Sequence, residues 1–113
     1  MGVGGLILIL FIHFVADFII QTNWVAVNKS KKDSVLLLHV CLYGILFLVF
    51  GWKFAVFNTF LHFFTDYFTS RLTSYLWIKE ERHLFFIVIG FDQFIHVTCL
   101  ILTGQLLGVL NLK

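Results

Sequence analysis

Three pairs of histidine and aspartate share one spacing along a very apolar chain. The members of each pair are four residues apart: His13 and Asp17, His62 and Asp66, and Asp92 and His96. On an α-helix, residues four apart lie on one face with Cβ atoms about 5–6 Å apart, so both side chains of a pair can bind one ion. A fourth histidine, His39, lies in a separate apolar stretch.

These residue types indicate a metal site. Imidazole and carboxylate together favour Zn²⁺, Mn²⁺ or Fe²⁺ over Ca²⁺ or Mg²⁺. The sequence predicts a divalent transition metal, Zn²⁺ as first choice, with these candidate ligands: His13, Asp17, His39, His62, Asp66, Asp92 and His96. Seven ligands are more than one tetrahedral ion needs. We therefore expect one ion, or two ions about 3.5–4 Å apart.

Two further expectations concern the same residues. An aspartate that a metal does not fully engage could act as a general base, and Asp92 is the candidate catalytic residue. Three Asp⁻–HisH⁺ pairs would also sum to zero charge, so a metal-free polar or proton-relay core is the alternative to a metal site.

The elements that position these residues are predicted to be membrane helices. The chain is 60% hydrophobic and 12% charged, with a mean hydropathy of +0.98, whereas soluble domains carry about 25% charged residues. So few charges cannot cover a water-facing surface, which excludes a soluble globular protein. The net charge of +2 gives no reason to expect nucleic-acid binding.

Four apolar segments follow one another, at residues 3–20, 35–52, 54–78 and 84–110. About 20 apolar residues cross a bilayer, so we predict an all-α, four-transmembrane-helix bundle. Residues 1–113 then form one integral membrane domain surrounded by lipid, either alone, as a homo-oligomer or within a larger membrane complex. Ionisable residues at such depth normally face the bundle interior and mark function.

Basic residues concentrate in the polar breaks after the first and third segments, including the run Lys29, Lys31 and Lys32. By the positive-inside rule these loops are cytoplasmic and both termini lie outside. The lysine run is also expected to attract anionic lipid. With this topology the aspartate of each pair lies nearer the cytoplasm than its histidine, because the fourth helix runs opposite to the first and third.

A short internal repeat accompanies these motifs. The segment from His13 to Asp17 matches the segment from His62 to Asp66, and the residues around His39 resemble those around His96. The repeat suggests two helical hairpins related by a pseudo-twofold axis along the membrane normal.

Several other polar residues have weaker predicted roles. Three of them extend the polar stripes by one helical turn and could orient the ligands or link helices: Gln21, Asn58 and Ser70. Gln93 points about 100° away from Asp92 on an ideal helix and is not placed in the site. Arg71 is expected to be an interfacial anchor, with an anionic substrate group as the alternative partner. Asp33 and Ser34 are predicted N-caps.

Four motifs together resemble a known family: HFVADFIIQTNW at 13–24, LLLHVCLY at 36–43, HFFTDYFTSRL at 62–72 and GFDQFIH at 90–96. The chain resembles the small bacterial and phage integral membrane proteins grouped as domain of unknown function 3307. The resemblance covers nearly the whole chain and implies a bacterial or phage inner-membrane location. A looser likeness, in the spaced intramembrane histidines and aspartates, is to predicted membrane-bound metal-dependent hydrolases, and no residue role is taken from it.

Three functions are compatible with these patterns. The leading hypothesis is an inner-membrane, metal-dependent hydrolase that cleaves a phosphoester or amide of a lipid-like substrate from the cytoplasmic leaflet. The second is a small transporter or channel for metal ions or protons that uses the same cluster. The third is a non-catalytic membrane effector or subunit in which a structural metal stabilises the bundle.

Overall fold

The computed structural model describes residues 1–112 and is built from helices. In chain order the α-helices are α1 (Val3–Phe14), α2 (Asn23–Asn28), α3 (Asp33–Phe47), α4 (Trp52–Ile78) and α5 (Arg82–Leu106). A π-helical turn (Val15–Ile19) continues α1, and a 3₁₀ turn (Leu48–Phe50) continues α3. Residues 1–112 contain no strand, so the all-α prediction is confirmed.

The region after α1 differs from the prediction of one straight helix and a plain loop. The helix widens into the π turn, closed by a hydrogen bond from the Ile20 amide to the Val15 carbonyl at 2.9 Å. The predicted polar break 21–34 contains α2, whose first turn is capped by the Thr22 hydroxyl accepting from the Val25 amide at 3.3 Å. Because α2 has only 6 residues, it is too short for a periodicity that needs about 11–18 residues to emerge.

The later helices each begin two residues before their predicted limits, and α5 ends at Leu106 rather than at residue 110. Charged residues belong to their first turns because a helix end can project such side chains outward. The prediction that Asp33 and Ser34 cap α3 is wrong, since the helix begins at Asp33 and Lys32 precedes it without a side-chain cap. Instead, the Asp33 carboxylate lies at the positive end of the helix dipole.

Two glycines allow α3 to pack closely on α4, the central helix, which also contacts α5. Gly51 alone joins the 3₁₀ turn to α4, with a φ of +118° that side chains disfavour. A Cβ atom at Gly44 of α3 would collide with the Thr59 hydroxyl of α4. The close approach brings the α3 face that carries His39 against His62 of α4.

One end of the bundle, which we call the closed end, is filled with apolar side chains. Its members are buried residues that pack together: Ile9, Phe47, Phe54, Leu100 and Leu110. The N-terminus and residues 109–111 meet there. The Met1 ammonium donates to the Val109 carbonyl at 3.1 Å, and the Asn111 amide donates to the Met1 carbonyl at 2.7 Å. The opposite end, formed by α2 and the turn between α4 and α5, is called the open end.

Many large apolar side chains lie on the surface of the bundle, and most of its ionisable histidines and aspartates lie inside. Large rings such as Phe60, Phe68 and Phe94 are 60%, 68% and 64% exposed, whereas four of the five histidines and three of the four aspartates are buried. Two helical stretches, Asp33–Phe50 and Arg82–Leu106, are long and apolar enough to cross a membrane, and only 17% of the second is buried. The stretch Val3–Ile19 is shorter, and the buried polar face of α4 lowers its mean hydropathy. The four-span arrangement and the repeated hairpins therefore stay predictions.

Candidate metal centre

All seven predicted ligands are buried in the middle of the bundle. Their exposed fractions run from 1% for His62 and Asp66 to 9% for Asp92. They are carried by α1, the π turn, α3, α4 and α5, so segments distant in sequence build one polar cluster.

Four of these side chains direct ligand atoms at one another. His39 Nε2 lies 2.9 Å from His62 Nε2, 3.1 Å from Asp17 Oδ1 and 3.3 Å from Asp66 Oδ2. His62 Nε2 lies 3.4 Å from the same Asp17 oxygen and 3.5 Å from the same Asp66 oxygen. Only one proton fits between the two ring nitrogens. This buried group could hold a metal ion.

A second group that could hold a metal ion consists of Asp17, Asp92 and His96, and Asp17 belongs to both groups. His96 Nε2 lies 3.1 Å from Asp66 Oδ1 and 3.1 Å from Asp92 Oδ1. Asp66 therefore directs one oxygen to His39 and the other to His96. Asp17 and Asp66 thus face both groups.

His13 lies beside these groups. Its Nδ1 is 2.8 Å from the Tyr43 hydroxyl, and its Nε2 is 2.7 Å from Gln93 Oε1. In residues 1–112, His62–Asp66 and His96–Asp92 are in contact as i,i+4 pairs, whereas His13 and Asp17 make no such ion pair. The π turn that contains Asp17 explains the difference, because it changes the direction of the Asp17 side chain relative to His13. Such turns are frequent at functional sites.

Gln93 corrects the sequence prediction, because it lies inside the cluster. Its amide nitrogen donates to Asp17 Oδ2 at 2.7 Å and lies 3.2 Å from Asp92 Oδ2, while its carbonyl oxygen meets His13. The 100° offset from Asp92 was correct for an ideal helix, but ligands surround the site from several helices. A residue can therefore reach the site from more than one face of α5.

Lys29 is a second polar contact that sequence reasoning missed. The sequence predicts that this loop lysine attracts lipid, yet its Nζ lies 2.8 Å from Asp66 Oδ2 and its side chain is 14% exposed. Burial alone would lower the pKa of the Lys29 ammonium, but the adjacent Asp66 carboxylate outweighs burial and raises that pKa above its ordinary value. The turn after α2 thus places a positive charge in the cluster. This contact depends on the path of the turn, which the sequence pattern does not predict.

A cavity of about 440 Å³ extends from the cluster to the open end. Asp17, Asp66, Asp92 and Gln93 form its polar floor. Among the three carboxylates, Asp92 is the most accessible, since its side chain is 13% exposed against 5% for Asp17 and 1% for Asp66. The Thr69 hydroxyl donates to Asp92 Oδ1 at 2.6 Å and holds that carboxylate in place.

A family model described as "Protein of unknown function (DUF3307)" matches residues 6–112. The chain belongs to the DUF3307 family. The resemblance identified from the four motifs is therefore confirmed, and all seven candidate ligands lie within the matched residues. No curated protein and no solved structure matches the chain.

The remaining polar residues of this DUF3307 protein have different environments. The Asn58 amide donates to the Phe54 carbonyl and the Thr103 hydroxyl, both at 2.9 Å, and so links α4 to α5. Arg71 donates to Asp33 Oδ1 at 2.6 Å, an ion pair between α4 and α3. Buried atoms without a hydrogen-bond partner in residues 1–112 are Gln21 Oε1, His62 Nδ1 and Ser70 Oγ.

Proposed function

We propose that this protein is a multi-pass inner-membrane hydrolase that uses a divalent transition metal, Zn²⁺ as first choice, to cleave a lipid-like or membrane-associated phosphoester or amide. The observation that carries the proposal is the convergence of two imidazole nitrogens and two carboxylate oxygens on one another, with both carboxylates at the floor of a cavity. Those atoms belong to His39, His62, Asp17 and Asp66.

The distances in this group support a tetrahedral ion. Ligands bound to Zn²⁺ at about 2.0–2.1 Å lie about 3.3–3.4 Å from one another in a tetrahedron. The five separations between His39 or His62 and the other ligand atoms run from 2.9 to 3.5 Å. Three of these atoms need only small side-chain adjustments to bind one ion, and the fourth position of the tetrahedron must then be left to water, as in catalytic zinc sites.

The charge of the cluster supports one divalent ion as well. Asp17, Asp66 and Asp92 contribute −3 and Lys29 contributes +1, so the cluster carries −2 when its imidazoles are neutral. A net charge of that size is costly in low-dielectric surroundings. One divalent ion brings the sum to zero. A second ion would leave +2 and would suit an anionic substrate.

The distribution of apolar and ionisable side chains supports a lipid environment. In a water-soluble protein, exposed rings such as Phe60, Phe68 and Phe94 would form extended apolar patches, which monomeric soluble proteins rarely expose. In a bilayer the same rings face hydrocarbon, while ionisable residues face the bundle interior. We infer four spans with both termini outside, because Met1 contacts Val109 and Asn111 at one end and the basic loops lie at the other.

The hydrolytic roles follow from accessibility. A bound divalent ion lowers the pKa of water toward about 7, which is the chemistry that hydrolysis needs. Asp92 would take up the proton of the attacking water, because it is the most accessible carboxylate of the three. Gln93 would orient Asp17 and Asp92, since its amide touches both.

The closed end favours a hydrolase over a transporter. A transported ion needs polar access from both sides, whereas the cavity reaches the cluster from the open end, and Phe47, Phe54 and Leu100 fill the other. Metal or proton flux into proteoliposomes that is lost in Asp66→Ala would instead support the transporter.

Elemental mass spectrometry of the purified protein tests the metal. We expect at least one transition-metal equivalent in the parent protein and loss of that metal in His62→Ala and Asp66→Ala. His83→Ala is the matched control, since His83 is exposed at the start of α5. Less than about half an equivalent, together with unchanged stability in chelator, would overturn the metal site.

Asp92→Asn separates catalysis from metal binding. We expect this variant to keep the metal equivalent of the parent protein and to lose at least about 100-fold in the rate of lipid phosphoester or amide hydrolysis, the size of a general-base contribution. Metal-loaded protein that cleaves neither class of substrate would contradict the hydrolase.

A further inference from the structure

The cavity has a polar inner part and an apolar outer part, and α4 supplies both. Beyond Asp66, α4 places hydroxyl groups along the wall, and then Trp77 and Ile78 near the mouth. Asp66 and Trp77 are about 16 Å apart along the axis at 1.5 Å per residue. The cavity volume of about 440 Å³ lies in the range of small-molecule sites.

One hydroxyl in the inner part has no partner. Ser70 lines the cavity, is 5% exposed, and its Oγ makes no hydrogen bond within residues 1–112. Its neighbours are engaged, Thr69 with Asp92 and Ser74 with Ser30 at 2.7 Å. Buried hydroxyls are normally hydrogen-bonded, so Ser70 is positioned to donate to an acceptor that enters the cavity.

Two lysines on the turn after α2 face the same space. Lys29 and Lys31 both line the cavity. Lys29 is paired with Asp66, whereas Lys31 is exposed and forms no ion pair in the part of the chain that the structure describes. An ammonium and a hydroxyl are both donors, so this wall suits a ligand with several anionic acceptor oxygens rather than a neutral amide.

The outer part suits a hydrocarbon chain. The rings of Trp77 and Phe85 pack with centroids 5.0 Å apart, and Ile89 and Val27 continue the apolar lining. A ligand that satisfies both parts has an anionic head and an apolar tail.

We propose that the cavity binds a long-chain phosphate ester, with the phosphate between Ser70, Lys31 and the metal centre and the alkyl chain against Trp77 and Phe85. This inference rests on the proposed function for the reaction, and it selects a phosphoester rather than an amide as substrate. In the reaction the oxygen of water bonds to phosphorus and the P–O(alkyl) bond breaks. The products are the long-chain alcohol, which takes one proton, and inorganic phosphate.

Binding is tested with dodecyl phosphonate, which has no P–O(alkyl) bond to hydrolyse. In protein with Trp24→Phe and Trp52→Phe, Trp77 is the one remaining tryptophan, and its fluorescence reports the ligand in nanodiscs of neutral lipid. We expect saturable binding of dodecyl phosphonate, and at least tenfold weaker binding of butyl phosphonate and of dodecyl trimethylammonium.

Variants assign the contacts. Ser70→Ala should weaken dodecyl phosphonate binding about tenfold, as expected for loss of a hydrogen bond to a charged group. Lys31→Ala should weaken it about threefold at low salt and less at high salt. Ser34→Ala and Lys32→Ala are the matched controls, because both residues are exposed and lie outside the cavity. Equal affinity in Ser70→Ala, Lys31→Ala and the controls would overturn the site.

Hydrolysis separates this inference from the proposed function. Cleavage of dodecyl phosphate but not of dodecanoyl amide supports the phosphate assignment, while the reverse overturns it and leaves the hydrolase intact. If dodecyl phosphonate binds with the described dependence on Ser70, Lys31 and chain length but the protein contains no metal, the contacts with those two residues and the apolar part stand, and the metal-dependent hydrolase falls. If butyl phosphonate binds as tightly as dodecyl phosphonate, the proposed contact of the alkyl chain with Trp77 and Phe85 is wrong.

Discussion

The closed end and the candidate metal centre lie in the same helices but are held together in different ways. At the closed end Phe47 and Phe54 pack with ring centroids 5.7 Å apart, and shape and volume decide the contact. In the candidate metal centre specific hydrogen bonds and ion pairs decide the contacts, because an unpaired polar group in apolar surroundings costs several kcal/mol. Within residues 1–112, His62 Nδ1 is the buried ligand atom without such a partner. We therefore expect the closed end to tolerate substitutions between apolar residues of similar size, whereas the cluster needs particular polar atoms at particular positions.

Tyr43 joins the two regions. Its ring stacks on His62 with centroids 4.0 Å apart and also packs on Phe47 at 4.9 Å. Its hydroxyl is 2.8 Å from His13 Nδ1. Packing at the closed end therefore positions imidazoles in the cluster. The apolar end thus stabilises the geometry of the candidate centre.

The largest expected effect that distinguishes the two regions is removal of the metal. With free metal at about 1,000 times its Kd, binding contributes about 4 kcal/mol to the free energy of unfolding, and a chelator removes it. Hydrogen exchange should become faster in peptides that contain His62 and Asp66, and change little in peptides from the closed end. His62→Ala protein is the control, because a chelator should not change its exchange. A uniform increase along the chain would contradict the division into two regions.

The next largest effect is expected for Phe47→Ala at the closed end. Truncating a buried Phe costs about 3–5 kcal/mol in soluble cores, and we expect the lower value, about 3 kcal/mol, because lipid removes much of the transfer contribution. Thermal unfolding in detergent measures the loss, and the metal content should stay that of the parent protein. Phe60→Ala, at an exposed ring, should change stability by less than about 0.5 kcal/mol. Loss of metal in Phe47→Ala would show that the two regions are one unit.

The smallest of these effects is expected for Gln93→Leu, which keeps the volume but removes the amide that touches Asp17 and His13. Changing a residue that orients ligands typically weakens metal binding about 10–100-fold. Competition with a chromogenic chelator measures the affinity. Gln105→Leu is the matched control on α5, since Gln105 lies near the closed end and accepts from the Leu112 amide at 3.2 Å. Equal affinities in the two variants would remove Gln93 from the centre.

Local spacing made much of the site predictable. The i,i+4 pairs His62–Asp66 and Asp92–His96 are in contact in the structure, because a regular helix places both members on one face. The family and the all-α fold were also correctly predicted. His13–Asp17 has the same spacing but makes no such contact, since a π turn replaces the regular helix there.

The missed contacts have a common cause. Gln93 and Lys29 reach the cluster because of the directions from which neighbouring segments approach it. The helical periodicity of the sequence does not specify those directions. Lys29 in particular depends on α2 and the turn after it, which return the chain toward α4. The incorrect prediction that Asp33 caps α3 has a related cause, because its carboxylate pairs with Arg71 of α4.

The sequence by itself determined that the chain is helical, largely apolar, and supplied with candidate ligands at helical spacing. These properties are local, since they depend on side-chain type and on the 3.6-residue period. Only the tertiary structure decided which ligand atoms face one another, that Asp17 and Asp66 lie between two groups, and that a cavity reaches them from one end. Those properties depend on angles and approaches between helices, and close packing at residues such as Gly44 sets them through contacts between segments distant in sequence.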